Sequence, residues 1–205
     1  MLAAVALSLA VVSGAALTLT DLGVANSTTG FESTVATSAA GNATLDTSDG
    51  VTVVVLGDAE HDRDVERAVV EALRANLVEA DVAADLRSAY DGPVLVVVPT
   101  EWALGWTPVS GEATAAWRVV YVQSGDLTQF GESTAGAGDF TTERLVERLS
   151  SGDVDTVALD GRTNFVVTGE FALTDATSGL LSLPYYDRHV VEAAAGATVD
   201  ALLGV

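Results

Sequence analysis

Two β-branched runs separated by a helical pattern constrain the fold more than any other feature of this chain. The runs Val51–Gly57 and Pro93–Pro99 are almost continuously apolar, as expected of strands that are buried on both faces. Between them, from about Asp62 to Ala80, apolar residues recur on one stripe at helical spacing. That stripe consists of Val65, Val69, Ala72, Leu73, Leu77 and Ala80. A strand, a helix and a second strand predict a parallel βαβ unit with a right-handed crossover.

The C-terminal part of the chain predicts a different strand arrangement. Thr156–Leu159 and Thr163–Leu173 are typical strands, and Asp160-Gly161 between them favours a tight hairpin turn. A second turn is predicted at Asp175–Gly179, before a last helix that begins at Pro184. We therefore expect one α/β or α+β domain over residues 51–205. Its mixed sheet begins parallel and ends in antiparallel hairpins near the C-terminus.

The charge composition predicts the medium in which the protein works. The chain contains no lysine, and its nine arginines face 29 acidic residues, giving a formal net charge of -20. Such self-repulsion destabilises a compact domain in dilute solution, but at molar salt the Debye length falls to about 3 Å and the repulsion is screened. We interpret the chain as an acidic protein of a halophile. The alternative is a GC-rich genome, which also favours Arg over Lys.

The same composition excludes several partners and sites. Nucleic-acid binding requires a basic face that displaces counterions from phosphate, and here each arginine is outnumbered locally by carboxylates. Electrostatic docking to anionic lipid is disfavoured for the same reason. Without cysteine the chain has no disulfide, thiolate metal site or cysteine nucleophile. We expect no cofactor other than, at most, a divalent cation.

The N-terminal segment, residues 1–20, has no charged side chain before Asp21. About 20 apolar residues are enough to cross a bilayer as a helix, so the segment is predicted to be a retained membrane anchor or a cleaved signal peptide. A buried helix of a soluble fold is the third interpretation. The first two place the folded domain outside the cytoplasm, on the cell membrane or beyond it.

Residues 21–50 change abruptly to a Ser- and Thr-rich composition with almost no aromatic residue and no hydrophobic period. This pattern predicts a flexible stalk between the anchor and the domain. Two N-x-[ST] sequons, at Asn26 and Asn42, fall inside it and suit an exposed glycosylated spacer. Short sequons also arise by chance in such a composition.

The best candidate site follows the first predicted strand, where open α/β sheets place ligands. It consists of Asp58, Glu60, His61 and Asp62. Carboxylates with one imidazole can hold a hard divalent cation. The stronger interpretation is structural, because acidic residues at a helix N-terminus cap free N–H groups and oppose the helix dipole.

Two further groups of residues are weaker candidates for a site. Ser133, with His189 downstream, offers the chain order of a serine hydrolase, but the G-x-S-x-G spacing and its strand-to-helix context are missing. Trp102 and Trp106, in a predicted loop, could line an aromatic pocket, for example for a sugar, with Trp117 and Tyr121 of the following strand. Core packing is the more common role for such residues.

Two resemblances add expectations of their own. The absence of lysine, the apolar N-terminus, the Ser/Thr-rich segment and the stretches YDGPVLVVVPT and SGLLSLPYYDRHV are similar to small anchored surface proteins of extreme halophiles. That resemblance brings no catalytic motif with it. Phe165–Phe171 followed by Asp175–Leu180 resembles a pattern of envelope-assembly domains related to the N-terminal part of the translocation protein TolB.

Together these features favour a non-enzymatic extracytoplasmic domain that is tethered to the membrane of a halophile and contacts another envelope component. A solute- or cation-binding module is the first alternative. A hydrolase is the second.

Overall fold

A computed structural model describes residues 5–9, 26–39, 45–57, 62–83, 93–123, 165–179 and 183–204 of the chain. The strands within these ranges are β1 (Val5–Leu9), β2 (Asn26–Ala39), β3 (Val51–Val55), β4 (Ala80–Val82), β5 (Val94–Thr107), β6 (Ser110–Val122) and β7 (Phe165–Ser178). The helices are α1 (Asp62–Ala75) and α2 (Leu183–Leu203).

All of these strands belong to one seven-stranded mixed sheet with the order β1-β2-β7-β6-β5-β3-β4. β3 pairs in parallel with both β4 and β5, whereas every other neighbouring pair is antiparallel. The predicted mixed sheet, with a parallel start around β3 and antiparallel strands toward the C-terminus, is confirmed. A sheet of this kind with two helices fits the α+β class.

Helix α1 ends earlier than the sequence pattern predicts. It stops at Ala75 instead of Ala80, because Leu77 adopts a left-handed conformation with φ of 65°. The Val78 N–H then donates to the Leu73 carbonyl at 3.0 Å, which satisfies an end carbonyl of the helix. The Leu77 side chain is 95% exposed and is not part of the inner stripe. The guanidinium of Arg74 donates to the Ala80 carbonyl at 2.6 Å, where β4 begins.

The segment predicted as a flexible stalk contributes a strand to the antiparallel region, between β1 and β7. Residues 26–39 pair with β7 over their whole length, so a stalk is wrong for these residues. Phe31 helps to hold this segment on the sheet. The centroid of its ring lies 5.9 Å from that of Phe171 and 6.1 Å from that of Trp117. Farther along, the Tyr121 hydroxyl donates to the carbonyl of Asp46 at 2.9 Å and ties this residue to the sheet.

The N-terminal run also differs from its expected form where it is described. Val5–Leu9 form a β-strand that pairs antiparallel with β2 from Thr37 to Ser33, so a helix is wrong for these five residues. Pairing with β2 supplies the hydrogen bonds that the backbone N–H and C=O groups of an extended segment need. Within the described ranges, neither helix combines the length and apolar character needed to cross a bilayer. The remainder of residues 1–25 lies outside these ranges.

Two predicted irregular segments are strands instead. β5 continues past an irregularity between Pro99 and Glu101, so Trp102 and Trp106 lie on a strand and not in a loop. β7 continues to Ser178, through the turn predicted at Asp175–Gly179, because β6 and β2 pair with it on both sides. The predicted strand Thr156–Leu159 and its hairpin turn lie outside the described residues.

The core lies between the helices and one face of the sheet, which we call the helix face. Alternate residues of each strand point to it, and α1 and α2 pack there against each other and against the sheet. At one end of the sheet, β2 begins at Asn26, β5 and β6 join at Thr107–Ser110, and β7 ends at Ser178. We call this the hairpin end. Helix α2 begins there at Leu183.

Candidate functional site

The most polar group of buried side chains surrounds Asp175 on the helix face, near the hairpin end. Asp175 is only 4% exposed. One carboxylate oxygen, Oδ1, accepts hydrogen bonds from the hydroxyls of Ser27 at 2.7 Å and Thr29 at 2.6 Å. The other, Oδ2, accepts from the hydroxyl of Thr177 at 2.7 Å. The ring nitrogen Nε2 of His189 lies 3.3 Å from Oδ1. We call these five residues the Asp175 cluster.

Strand register and helix position bring the Asp175 cluster together. Thr29 is paired with Asp175, and Ser27 with Thr177, across β2 and β7. Because residues two apart share one face of a strand, all four side chains point to the helix face. His189 reaches them from the start of α2. In the sequence, the only sign of the cluster is the i,i+2 spacing of Ser27 with Thr29 and of Asp175 with Thr177. That spacing indicates a shared site only when both segments are known to be strands.

The environment keeps Asp175 ionised. Burial alone would raise the pKa of this carboxyl, since it disfavours the charged form. The hydrogen bonds from His189, Thr29, Ser27 and Thr177 outweigh burial and hold the pKa of Asp175 well below its usual range. The cluster therefore contains a stable buried carboxylate with few free lone pairs, which is the arrangement of a structural network.

The geometry of the Asp175 cluster does not match a serine-hydrolase relay. A relay needs the serine on one ring nitrogen of histidine and the carboxylate on the other. Here Nε2 of His189 lies 3.2 Å from the Ser27 hydroxyl and 3.3 Å from Asp175, and Ser27 donates directly to the carboxylate. Ser27 is also only 5% exposed, so a substrate has little access to it. Ser133, the serine considered from the sequence, lies outside the described residues.

Tyr186 completes this buried region from α2. Its ring is fully buried and lies so close to Gly111 that a Cβ at that position would be 2.6 Å from the ring carbon Cζ. The Tyr186 hydroxyl makes no hydrogen bond with a described residue. Burial, together with the nearby charge of Asp175, raises its pKa, so the phenol stays protonated. The absence of a side chain at Gly111 is what lets α2 approach the sheet here.

Of the four residues predicted to form a site after the first strand, one lies in the described ranges. Asp62 is the first residue of α1, whereas Asp58, Glu60 and His61 lie outside the described residues. Across the ranges that the structure describes, no three His, Asp or Glu side chains are grouped as metal ligands. Of the two sequons, Asn26 is exposed at the first position of β2, and Asn42 is outside the described ranges.

The tryptophans do not form the aromatic pocket considered from the sequence. Trp117 belongs to the core, where its indole N–H donates to the Thr198 hydroxyl at 2.7 Å. Trp102 borders the same region, but the cavity between them has a volume of about 10 Å³. A cavity of that size holds about one water molecule. Trp106 does not line it and is 38% exposed at the hairpin end.

A larger cavity lies between the two helices, on their outer side. The groove has a volume of about 440 Å³ and is bordered by charged side chains of both signs. Arg67 pairs with Asp64 at 2.6 Å along α1, and Arg188 lies 3.8 Å from Glu192 along α2. Its other lining residues are Ala68, Glu71, Pro184, Asp187 and Val191.

Comparison with known proteins gives no assignment. The chain matches no protein-family model and no curated protein. Among solved structures it is similar to the PelC dodecamer from Paraburkholderia phytofirmans, with 15% identity and a TM-score of 0.41 over 80% of this chain and 95% of that one. A leucine-to-methionine variant of the same dodecamer gives 15% identity and a TM-score of 0.42, with 80% and 94% covered.

Proposed function

We propose that this protein is a non-enzymatic extracytoplasmic domain, tethered to the cell membrane of a halophile through residues 1–20, that contacts another component of the envelope. The observation that carries the proposal is the 20-residue N-terminal run without a charged side chain, followed by a chain with a net charge of -20. An uncharged run of this length partitions into a bilayer, whereas a domain covered with carboxylates stays in brine.

The described polar network supports a structural role over a catalytic one. The carboxylate of Asp175 uses its oxygens on three hydroxyls and His189; Ser27, Asp175 and Thr177 are buried, and Thr29 and His189 are half-buried. A catalytic group needs access to its substrate. The pairing of Val5–Leu9 with β2 bears on the tether, because these five residues cannot occupy the sheet and a bilayer at once. The tethered form therefore requires that β1 leave the edge of the sheet and change from the described strand to a helix.

A charge placed inside the run tests the tether. Expressed with a C-terminal tag in a haloarchaeal host, the full chain should sediment with membranes, and external protease should remove the tag. The Ala10→Arg variant should shift to the soluble fraction, because a charge at the centre of a spanning helix costs about 3 kcal/mol. Ala25→Arg, a matched change outside the run, should remain with the membranes. Full-length chain in the soluble fraction, or a tag protected from external protease, would contradict the proposal.

We propose that the contact with another envelope component is made by the sheet face opposite the helix face, where that face is exposed. There Arg118 pairs with Glu170 at 2.8 Å, and the surrounding hollow of about 470 Å³ includes Glu32 and Thr34 of β2. Because the chain has no cysteine, Thr34→Cys introduces a unique thiol for cross-linking on this face. It should yield a cross-linked envelope protein in intact cells. Arg63→Cys, on the exposed side of α1, is the matched control; equal yields from both would remove this face as the contact.

The groove between α1 and α2 favours a second candidate, a solute- or cation-binding module. Its volume of about 440 Å³ lies within the usual range of ligand sites, roughly 300–1,000 Å³, and carboxylates border it. Calcium and sodium compared at constant ionic strength separate specific binding from general salt stabilisation. A larger thermal shift with calcium, lost in Glu71→Gln but kept in Glu79→Gln, would favour this module. Equal shifts with both cations would eliminate a specific cation site.

A further inference from the structure

The hairpin end of the sheet is unusual in this acidic chain because three uncharged segments meet there. Among the described residues, no charged side chain occurs in 26–31, in 102–111, or in 176–179 and 183–186. The first segment contains the start of β2, the second the β5–β6 turn, and the third the end of β7 and the start of α2. Asn26 is paired with Ser178, and Ser178 with Ser110, so the three segments are neighbours in the sheet.

Large apolar side chains are exposed at this uncharged end. Trp106 is 38% exposed, Val109 is 61% exposed, and Leu183 is 46% exposed. These are three of the five large hydrophobic side chains found exposed in the described ranges. Single exposed apolar residues are ordinary, but their concentration at one uncharged end indicates a surface that contacts something less polar than water.

The apolar turn is held in a fixed shape. The Thr107 hydroxyl accepts a hydrogen bond from the Ser110 N–H at 2.9 Å and lies 2.7 Å from the Ser110 hydroxyl. The Gly179 N–H donates to the Val109 carbonyl at 3.0 Å and joins the turn to the end of β7. Because the turn is ordered before binding, inserting Trp106 and Val109 into an apolar layer costs little conformational entropy.

We propose that the hairpin end is a lipid-docking surface, where Trp106, Val109 and Leu183 enter the interfacial region of the membrane. The inference rests on the proposed tether. Residues 1–20 lead through 21–25 to β2, which begins at Asn26 at this end, so a domain tethered through them with β1 released from the sheet presents this end to the bilayer. Tryptophan favours the membrane interface, and the uncharged segments approach lipid without desolvating charge.

The charge distribution selects a lipid surface over an anionic or cationic partner. The described residues of the three segments offer no ion pair to a protein partner and no charge that headgroups would repel, although Glu112 and Asp187 directly follow two of them. The acidic residues elsewhere prefer water, so they orient the domain with its uncharged end toward the bilayer. The docked domain would then stand with the opposite end of the sheet, near Leu77, in solution.

Quenching of tryptophan by brominated lipid tests the docking. The full chain is reconstituted at about 1 M KCl, where the Debye length is about 3 Å, into phosphatidylcholine vesicles with bromine near the headgroup end of the acyl chains. Emission from Trp106 should be quenched, and that quenching should be lost in Trp106→Phe. Val109→Asp should also reduce it, because a carboxylate in the turn must be desolvated, whereas Leu77→Asp at the opposite end should leave it unchanged. Circular dichroism checks that each variant is folded.

The outcomes distinguish the docking from the tether. Full chain that floats with vesicles but shows no Trp106 quenching overturns the docking surface and leaves the tether standing. If brominated lipid quenches the chain, but the chain does not float with vesicles when no salt is added, docking is supported and the tether is contradicted. If the chain neither floats nor is quenched, both are wrong. If Trp106 is protected from acrylamide in native membranes but is not quenched by brominated lipid, this end contacts a protein partner and not lipid.

Discussion

The hydroxyl of Ser27 donates a 2.7 Å hydrogen bond to the carboxylate of Asp175, which lies 148 positions later in the chain. This contact joins the segment after the apolar run to the last strand of the sheet, and His189 extends it to α2. A buried carboxylate is stable when its lone pairs are satisfied, and here the partners come from three separate elements. The Asp175 cluster therefore fixes how β2, β7 and α2 are placed relative to one another.

Removing the charge at the centre of the Asp175 cluster should destabilise the fold. Asp175→Asn keeps the shape but replaces charge-assisted hydrogen bonds with neutral ones and puts an amide donor beside hydroxyl donors. We expect a loss of about 2–4 kcal/mol in the free energy of unfolding, measured by urea denaturation at molar salt. Asp200→Asn, an exposed change on α2, should alter it by less than about 0.5 kcal/mol. Similar losses in both variants would mean that the network does not stabilise the fold.

The same carboxylate predicts a pH dependence. Its pKa in the folded protein lies well below the value of about 3.9 expected when unfolded, so the unfolded chain binds the proton first as the pH falls. The stabilisation is complete above about pH 5 and is lost progressively below it, toward the folded pKa. The difference in unfolding free energy between the wild type and Asp175→Asn should therefore shrink between about pH 6 and about pH 3. A difference that grows on acidification would reverse the sign of this linkage.

Gly111 should tolerate no side chain. A Cβ there would lie 2.6 Å from Cζ of the Tyr186 ring, so the helix must move or the ring must leave its position. We expect Gly111→Ala to cost about 1–3 kcal/mol of stability, measured by thermal or urea unfolding. Gly196, in the interior of α2, has no neighbouring atom within 4 Å of the added Cβ. Gly196→Ala should instead stabilise by about 0.5–1 kcal/mol, and destabilisation there would contradict the packing described.

The parallel start of the sheet could be predicted from sequence because its signal is local and strong. Val51–Val55 and Val94–Val98 are continuous β-branched or apolar runs, and their burial on both faces follows directly. The end of α1 was predicted too late, since Leu77 matches the apolar period while its backbone has left the helix. Propensity is a weak indicator at such boundaries.

The β2 strand and the Asp175 cluster could not be predicted in the same way. Residues 26–39 have a Ser- and Thr-rich composition that suits both a stalk and a half-exposed strand, and the partner that decides between them is β7, far along the chain. Because β2 was not predicted, nothing in the sequence indicated that Ser27 and Thr29 lie near Asp175. Asp175 was itself predicted to lie in a turn. The candidate site is therefore a product of non-local strand pairing.

Salt should stabilise this protein far more than an ordinary acidic domain. All nine arginines follow Gly50, as do all but four of the 29 acidic residues, so the excess charge belongs to the folded region. The described ion pairs neutralise little of it: Arg67–Asp64, Arg74–Asp81 and Arg188–Glu192 involve largely exposed side chains. Exposed pairs contribute about 0–1 kcal/mol each and less at high salt, so they cannot offset the repulsion.

We therefore expect the midpoint of thermal unfolding to rise steeply as KCl is increased from about 0.1 M to about 1 M, over which the Debye length falls from about 10 Å to about 3 Å. Choline chloride should give a similar rise at equal ionic strength, because screening does not depend on the identity of the cation. Replacing Asp64 and Asp81 by Asn together should reduce the salt dependence, since it lowers the net charge of -20 to -18 while removing two exposed pairs. A domain that refolds fully at low salt with an unchanged midpoint would show that its carboxylates are not an adaptation to brine.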